Sequence, residues 1–310
     1  MPERFDHYMA RANAAYYAAH NPFADFTTAP EISQVFGEII GAWAQVAWTM
    51  LGGPEDIIFA EAGPGRGTLM ADALRAWPAP AVHFIEISRR LRAAQAQRVP
   101  NAIWHDSLVG IPRQPLILIA NEFLDALPVR QFIRAETGWL ERHVENGAYL
   151  DLPTDHPLPD DPPGSVREIN EPAIAFVQDL ARRNAIALII DYGPVQTAPG
   201  SSVQAIANGL PADPEKNSGA ADITAHVDFF SLATAARAAG ADVQGPVKQN
   251  AFLTACGLFQ RTDALARRHP ARAAELRRAA DRLTAPEAMG SLFKVLALCP
   301  KGFPTLPGFP

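Results

Sequence analysis

The stretch Glu61-Ala62-Gly63-Pro64-Gly65-Arg66-Gly67-Thr68-Leu69 constrains the fold of this chain more than any other. It follows the apolar run Ile57-Ile58-Phe59-Ala60, which reads as a buried strand, and it leads into Leu69-Met70-Ala71-Asp72-Ala73-Leu74, which reads as the start of a helix. A strand, a glycine turn and a helix in that order form a nucleotide-binding context. Gly63, Gly65 and Gly67 carry no Cβ, so the turn can bend sharply and its backbone N–H groups can face a bound nucleoside. Position 68 is Thr, where a dinucleotide fingerprint continues toward its third small residue, so the loop is G-x-G-x-G with the carboxylate of Glu61 two residues ahead. That arrangement suits S-adenosylmethionine, which has no pyrophosphate to cradle but carries an ammonium that a carboxylate can receive. Taken alone, the glycines are also compatible with a plain tight turn.

Four further segments strengthen the reading. Val82-His83-Phe84-Ile85 is followed by Glu86, and Ala102-Ile103-Trp104-His105 by Asp106. Leu116-Ile117-Leu118-Ile119-Ala120 is followed by Asn121-Glu122, and Ala187-Leu188-Ile189-Ile190 by Asp191. In an open parallel sheet the ligand crevice lies outside the carboxyl ends of the strands, so these acids are expected on one rim around the glycine loop. Glu86 stands about twenty residues beyond the glycines, where a carboxylate accepts ribose hydroxyls. Any one acid could equally mark the turn that ends its strand.

Composition bounds the function classes. The 310 residues, 48% of them hydrophobic, suffice for a sizeable core, and a net charge of −6 argues against nucleic acid as the main partner. Cys256 and Cys299 lie far apart, which suggests neither a zinc site nor a disulfide framework; no metal is expected. Met1 to Asp25 lacks an apolar signal-peptide core and is not poor in acids, so a cytoplasmic, bacterial-type location is expected. Val35 to Leu51 is interrupted by Glu38 and Gln45 and reads as a core helix, with no membrane span expected.

The order of elements predicts an α/β fold. Residues 1–50 read as a helical segment packing on the core, with an irregular centre from Asn21 to Glu31. Residues 51–300 read as the main domain, beginning with strand and helix in alternation, the pattern of a doubly wound parallel sheet. Two insertions are expected, at about 129–165, opening with a β-hairpin around Glu136-Thr137-Gly138, and at 194–222, a long loop of little periodicity. Residues 301–310 read as a Pro/Gly tail.

The strings FTTAPEISQVFGEIIGAW, EAGPGRGTLMADALR, ANEFLDALPVRQF, LIIDYG, ADITAHVDF and MGSLFKVLAL occur in this order. Together they resemble the MidA-like family of S-adenosylmethionine-dependent methyltransferases, from about Tyr8 to Leu298. The resemblance implies a class I methyltransferase (Rossmann-like) fold, with a seven-stranded, mostly parallel sheet, a β-hairpin insertion and helical additions. It implies S-adenosyl-L-methionine as cofactor, held by Glu61, Gly63, Gly65, Gly67, Glu86, Asp106 and Ser107, with Asn121 and Thr28 as further candidates. It also implies a protein substrate, because a mitochondrial member is regarded as a protein arginine methyltransferase that assists assembly of respiratory complex I. A complex I subunit is thus a candidate acceptor, and a homo-oligomer a candidate state. Two departures from the family pattern fall at Asn21 to Phe26 and Gly209 to Glu215.

An arginine acceptor needs carboxylates, because a protonated guanidinium must approach a positively charged sulfonium. Glu122 and Asp125 are the nearest acidic pair to the expected methyl position, with Asp191 a third candidate. Thr28 and Glu31 are read either as a cover for the cofactor or as a helix entry, with Pro30 in its first turn. Asp222, His226 and Asp228 either line the site or cap the helix after the long loop, Asp222 being the expected cap, and Phe229 and Phe230 read as core. Rival readings are a methyltransferase of a small molecule, a non-catalytic assembly factor that retains the fold, and a nicotinamide oxidoreductase with an altered glycine turn.

Overall fold

The structure is a computed structural model that describes residues 1–20, 27–216 and 218–310. The departure expected at Asn21 to Phe26 therefore lies outside the described residues, as does Asn217 of the second insertion.

The chain begins with β1 (Glu3–Arg4), α1 (Phe5–Ala19), the four-residue α2 (Ala29–Ile32) and α3 (Gln34–Met50). Alternation follows: β2 (Ile58–Ala62), α4 (Thr68–Ala76), β3 (Ala81–Ile85), α5 (Arg89–Arg98), β4 (Ile103–His105) and β5 (Leu116–Asn121). The first insertion holds β6 (Arg130–Ala135), β7 (Gly138–Glu145), β8 (Ala148–Pro153) and β9 (Val166–Ile169), before α6 (Glu171–Arg182) and β10 (Ile186–Tyr192). The second holds β11 (Gln204–Ala207), β12 (Leu210–Ala212) and β13 (Asp222–Thr224). The chain closes through α7 (Phe229–Ala238), β14 (Asp242–Lys248), α8 (Gln249–Ala255), α9 (Leu258–Arg268), α10 (Ala273–Thr284) and β15 (Phe293–Cys299).

The main sheet has seven strands in the order β14-β15-β10-β5-β2-β3-β4. Its centre from β10 to β4 is parallel, and β15 runs antiparallel between β10 and β14, as expected for a class I methyltransferase fold. The two faces follow from the two-residue period of strands. Phe59, Ile117, Ile119, Leu188 and Ile190 join one cluster, with α3, α4 and the C-terminal helices. Ile58, Ala60, Leu118, Ala187 and Ile189 join the other, with α6 and α7. Burial on both faces is why the strands read as continuous apolar runs. Among the described residues no helix is long and apolar enough to cross a membrane.

Several expectations are corrected. The 194–222 segment is not a structureless loop: β12, β11 and β13 form a small antiparallel sheet in that order. The first insertion goes beyond a hairpin, since β6, β7, β8 and β9 join β1 in a five-stranded sheet. Residues 1–50 divide, with α1 packing on the two insertions through Phe5, Met9 and Ala12 and α3 entering the main core. The 301–310 segment packs onto the core, where Leu306 is buried and Trp43 Nε1 donates to the Pro307 carbonyl at 3.1 Å. Phe229 is buried, but Phe230 is exposed, because consecutive positions on α7 face different directions.

Candidate functional site

The glycine turn leaves the end of β2 with Gly63, Gly65 and Gly67 at φ of +63°, +53° and +78°, where a residue with a Cβ is strained. Gly63 N–H donates to the Ile85 carbonyl at 3.0 Å and Gly67 N–H to the Pro64 carbonyl at 2.7 Å, which fixes the turn. On its rim opens a cavity of about 830 Å³. Glu61, Gly63, Gly65, Glu86, Asp106, Asn121, Glu122, Asp125 and Thr28 all line it. The carboxyl ends of β2 to β5 thus converge, as the topology of a parallel sheet requires.

Three candidates stand apart. Gly67 is not in the lining; it is the left-handed residue that opens α4, where a Cβ would meet the Gln95 backbone at 3.4 Å. Ser107 is exposed outside the cavity, at the head of a short 3-10 turn over Leu108–Gly110. Asp191 is fully buried and turned into the protein, where its carboxylate accepts from the N–H groups of Leu124 at 3.0 Å, Asp125 at 3.3 Å and Tyr192 at 2.9 Å. It holds the turn that carries Asp125 and does not reach the cavity, which corrects its expected role as a third acceptor ligand.

The lining acids are unusual in their burial. Glu61 is 3% exposed, burial pushes its carboxyl up to about 8, and its Oε2 has no hydrogen-bond partner among the described residues. Asn121 Oδ1 is likewise buried and unpartnered among them. Such orphaned atoms are costly unless a ligand satisfies them. Glu86 accepts from Ser88 N–H at 2.7 Å and from Gln95 Nε2 at 3.1 Å, and it lines the cavity at the end of β3. Asp106 is exposed and paired with Arg92 at 2.5 Å.

Beyond β5 the chain turns through Glu122 at φ +50°, whose N–H donates to the Ile190 carbonyl at 2.9 Å. Glu122 Oε1 accepts from Ala29 N–H at 3.1 Å and from Asn121 Nδ2 at 3.3 Å. Burial pushes the Glu122 carboxyl up to about 7, and burial together with the Glu122 charge raises that of Asp125. The cavity is also lined by residues that no local motif announced, Asn13 and Tyr17 of α1 and Gln204 of β11, and by Thr224 of β13 from the string ADITAHVDF. Tyr17 donates to Asp222 at 2.8 Å, and Tyr192 to Thr224 Oγ1 at 2.8 Å. Asp222 therefore lines the cavity from β13 and is not the cap; Asp228 caps α7, accepting from Ser231 N–H at 3.1 Å. His226 also lines the cavity.

Residues 39–247 match the model of a family described as "Putative S-adenosyl-L-methionine-dependent methyltransferase". The chain belongs to this family. It is 32% identical, over 88% of its length and 76% of the other's, to the mitochondrial protein arginine methyltransferase NDUFAF7 of Danio rerio. The human protein of that name is 30% identical over 89% of this chain and 74% of its own. A crystal structure of a superfamily member from Burkholderia thailandensis, bound to S-adenosyl-homocysteine, superposes with a TM-score of 0.84 at 25% identity, covering 99% of this chain and 90% of that one.

The methyltransferase site also fits the cofactor on its own terms. Glu61 Oε2 and Asn121 Oδ1 are acceptors without donors among the described residues, and the ligand's ammonium and amino groups are donors. At Gly63 a Cβ would come within 2.7 Å of the Phe123 ring, so there is no room at the turn for a side chain. The signal for the acceptor side was thinner. Tyr192 follows an acid in a strand end, but Asn13 and Tyr17 reach the cavity only because α1 packs across both insertions.

Proposed function

We propose that this methyltransferase transfers a methyl group to a protein arginine, with Glu122 as the main guanidinium ligand and Asp125 beside it. The observation that carries the reading is the acidic pair at the cavity wall, since burial raises both carboxyls and the Glu122 charge adds to the cost of ionising Asp125 until a cation arrives. The names of the NDUFAF7 relatives support the acceptor class. S-adenosylmethionine supplies the electrophilic methyl group when bound; Glu61 would receive its ammonium, Glu86 its ribose, and Asp106, Asn121 and Thr28 its remaining polar edges. Gly65 would leave room for it on the cavity side, while Gly63, packed against the Phe123 ring, and Gly67, packed against Gln95, shape the turn.

Among the described residues the hydrogen bonds to the Glu122 carboxylate, from Ala29 N–H and Asn121 Nδ2, both end on Oε1, so Oε2 is left to a ligand from the cavity. A carboxylate can fix the planar fork of arginine by parallel hydrogen bonds and offset its charge near a sulfonium. It orients one nitrogen for in-line attack, where near-attack geometry contributes most of the rate. A carboxyl pushed up to about 7 can also take the proton that the nitrogen sheds on alkylation. A respiratory complex I subunit is the first acceptor to try.

The test uses labelled S-adenosylmethionine and protein from cells that lack this enzyme. Label in methylarginine is expected, and Glu122→Gln should keep cofactor affinity while slowing transfer by at least about a hundredfold, the scale of a lost positioning group. Label confined to small molecules, or parental transfer by Glu122→Gln, overturns the reading.

A further inference from the structure

The short α2 lies between two cavities: Pro30, Glu31 and Thr68 line both the 830 Å³ space and a second, polar one of about 250 Å³ toward α10. One end of α2 is tied to Glu122 through Ala29 N–H. The other is tied to the glycine loop, because the Glu31 carboxylate accepts from Thr68 Oγ1 at 2.6 Å and from Arg66 through both Nε, at 3.3 Å, and Nη2. Thr28 makes no capping bond, so nothing in the helix entry itself requires Glu31 to bridge in this way. A glutamate that served only the helix dipole would face solvent; this one is half-buried among three donors of another element.

We propose that Glu31 is a positioning residue for methyl transfer, tying the glycine loop to the strap that orients the Glu122 carboxylate. The inference rests on the reading of Glu122 given above. Its two ends are unequally braced. The glycine loop is also held from behind, by Gln95 Nε2 on the Gly65 carbonyl at 2.8 Å and by Gly63 N–H on Ile85. The Glu122 carboxylate has, among the described residues, only Ala29 N–H and the adjacent Asn121 amide. Loosening Glu31 therefore leaves the cofactor cradle standing and frees Glu122 to swing. A shift of about 1 Å in a catalytic group costs on the order of a hundredfold in rate.

The expected result is a split. Glu31→Gln keeps the side-chain shape but removes the charge-assisted bonds, and Arg66→Gln removes the ion pair without touching α2. In both variants S-adenosylhomocysteine affinity by calorimetry stays within about threefold, because the loop keeps its other bonds. Methyl transfer into arginine of unmethylated cell protein falls about ten- to a hundredfold. The Glu31→Gln/Glu122→Gln double variant is no slower than Glu122→Gln alone, since coupled residues are non-additive. An acceptor-free readout runs beside these. In the parent protein the Ala29 amide resonance follows ionisation of Glu122 near pH 7, and that titration is lost in both Glu31→Gln and Glu122→Gln. An intact Ala29 titration in Glu31→Gln, additive losses in the double variant, or a cofactor affinity that falls as far as the rate overturns the strap. Parental transfer by Glu122→Gln instead overturns the arginine reading, whatever Glu31→Gln does.

Discussion

Glu61 and Asp191 show how two buried acids on strands that flank β5 differ in kind. Asp191 has three backbone donors and is spent on structure, whereas Glu61 keeps an orphaned oxygen beside the glycine turn. Burial raises the Glu61 carboxyl from 4.5 to about 8, so the free native protein holds a proton there that the unfolded chain releases above pH 4.5. That contribution to stability is full below pH 4.5 and is lost as pH rises through about 8. An ammonium ligand prefers the ionised form, so binding expels the proton and affinity rises with pH. Between pH 6 and 7.5, below the range in which an α-amino group itself titrates, the Kd for S-adenosylhomocysteine should fall by close to tenfold per pH unit. Calorimetry in buffers of different ionisation enthalpy should show about one proton released at pH 7. Glu61→Gln should bind weakly and without that slope. A parent protein whose affinity is flat across the window refutes this role for Glu61.

At the scale of elements, α3 rests on α4 through glycine. A Cβ at Gly41 would lie 2.2 Å from the Ala73 carbonyl oxygen and 2.7 Å from the Ala73 Cα. Gly41→Ala should therefore destabilise by about 1 to 3 kcal/mol in urea unfolding, although alanine is the better helix former by about 1 kcal/mol. A stabilised variant would mean that α3 can shift off α4. None of this contact was legible in the sequence, where Gly41 sits in an ordinary apolar helix pattern. The central strands were legible, because burial on both faces leaves an unbroken apolar run ending in an acid. The β11–β12 hairpin was missed for a local reason. Its two-residue loop is Asn208-Gly209, at φ of +53° and +72°, a strong hairpin signal, but the flanks Ala205-Ile206-Ala207 and Leu210-Pro211-Ala212 hold Ile206 as their one β-branched residue and a proline at 211. Asn146-Gly147 joins β7 to β8 in the same way, at +51° and +73°. The packing of Leu306 and the placement of Tyr17 depend on residues hundreds of positions away, and no window of sequence contains them.

At the scale of the whole molecule, the described residues form three apolar clusters, and the third is set apart from the two faces of the main sheet. It joins Phe5, Tyr8, Met9 and Ala12 of α1 to Val129, Val144, Ala205 and Ile223 of the two insertions. The half of the cavity at the glycine turn is thus carried by the main sheet, while the half facing Glu122 is walled by α1 and the small sheet, which rest on the small cluster. Small apolar clusters open at lower free energy than the core they lean on. Phe5 is fully buried there, and Phe5→Ala should cost that unit about 3 kcal/mol. Hydrogen exchange should then quicken at Ala205 and Ile223, by roughly a hundredfold for that loss, while Leu118 and Ile119 in β5 keep parental protection. Methyl transfer should fall with little change in cofactor affinity, because Tyr17 and Asp222 move and Glu61 does not. Equal loss of protection in β5 and β11 would show one cooperative unit, and the acceptor wall would then be as rigid as the sheet beneath it.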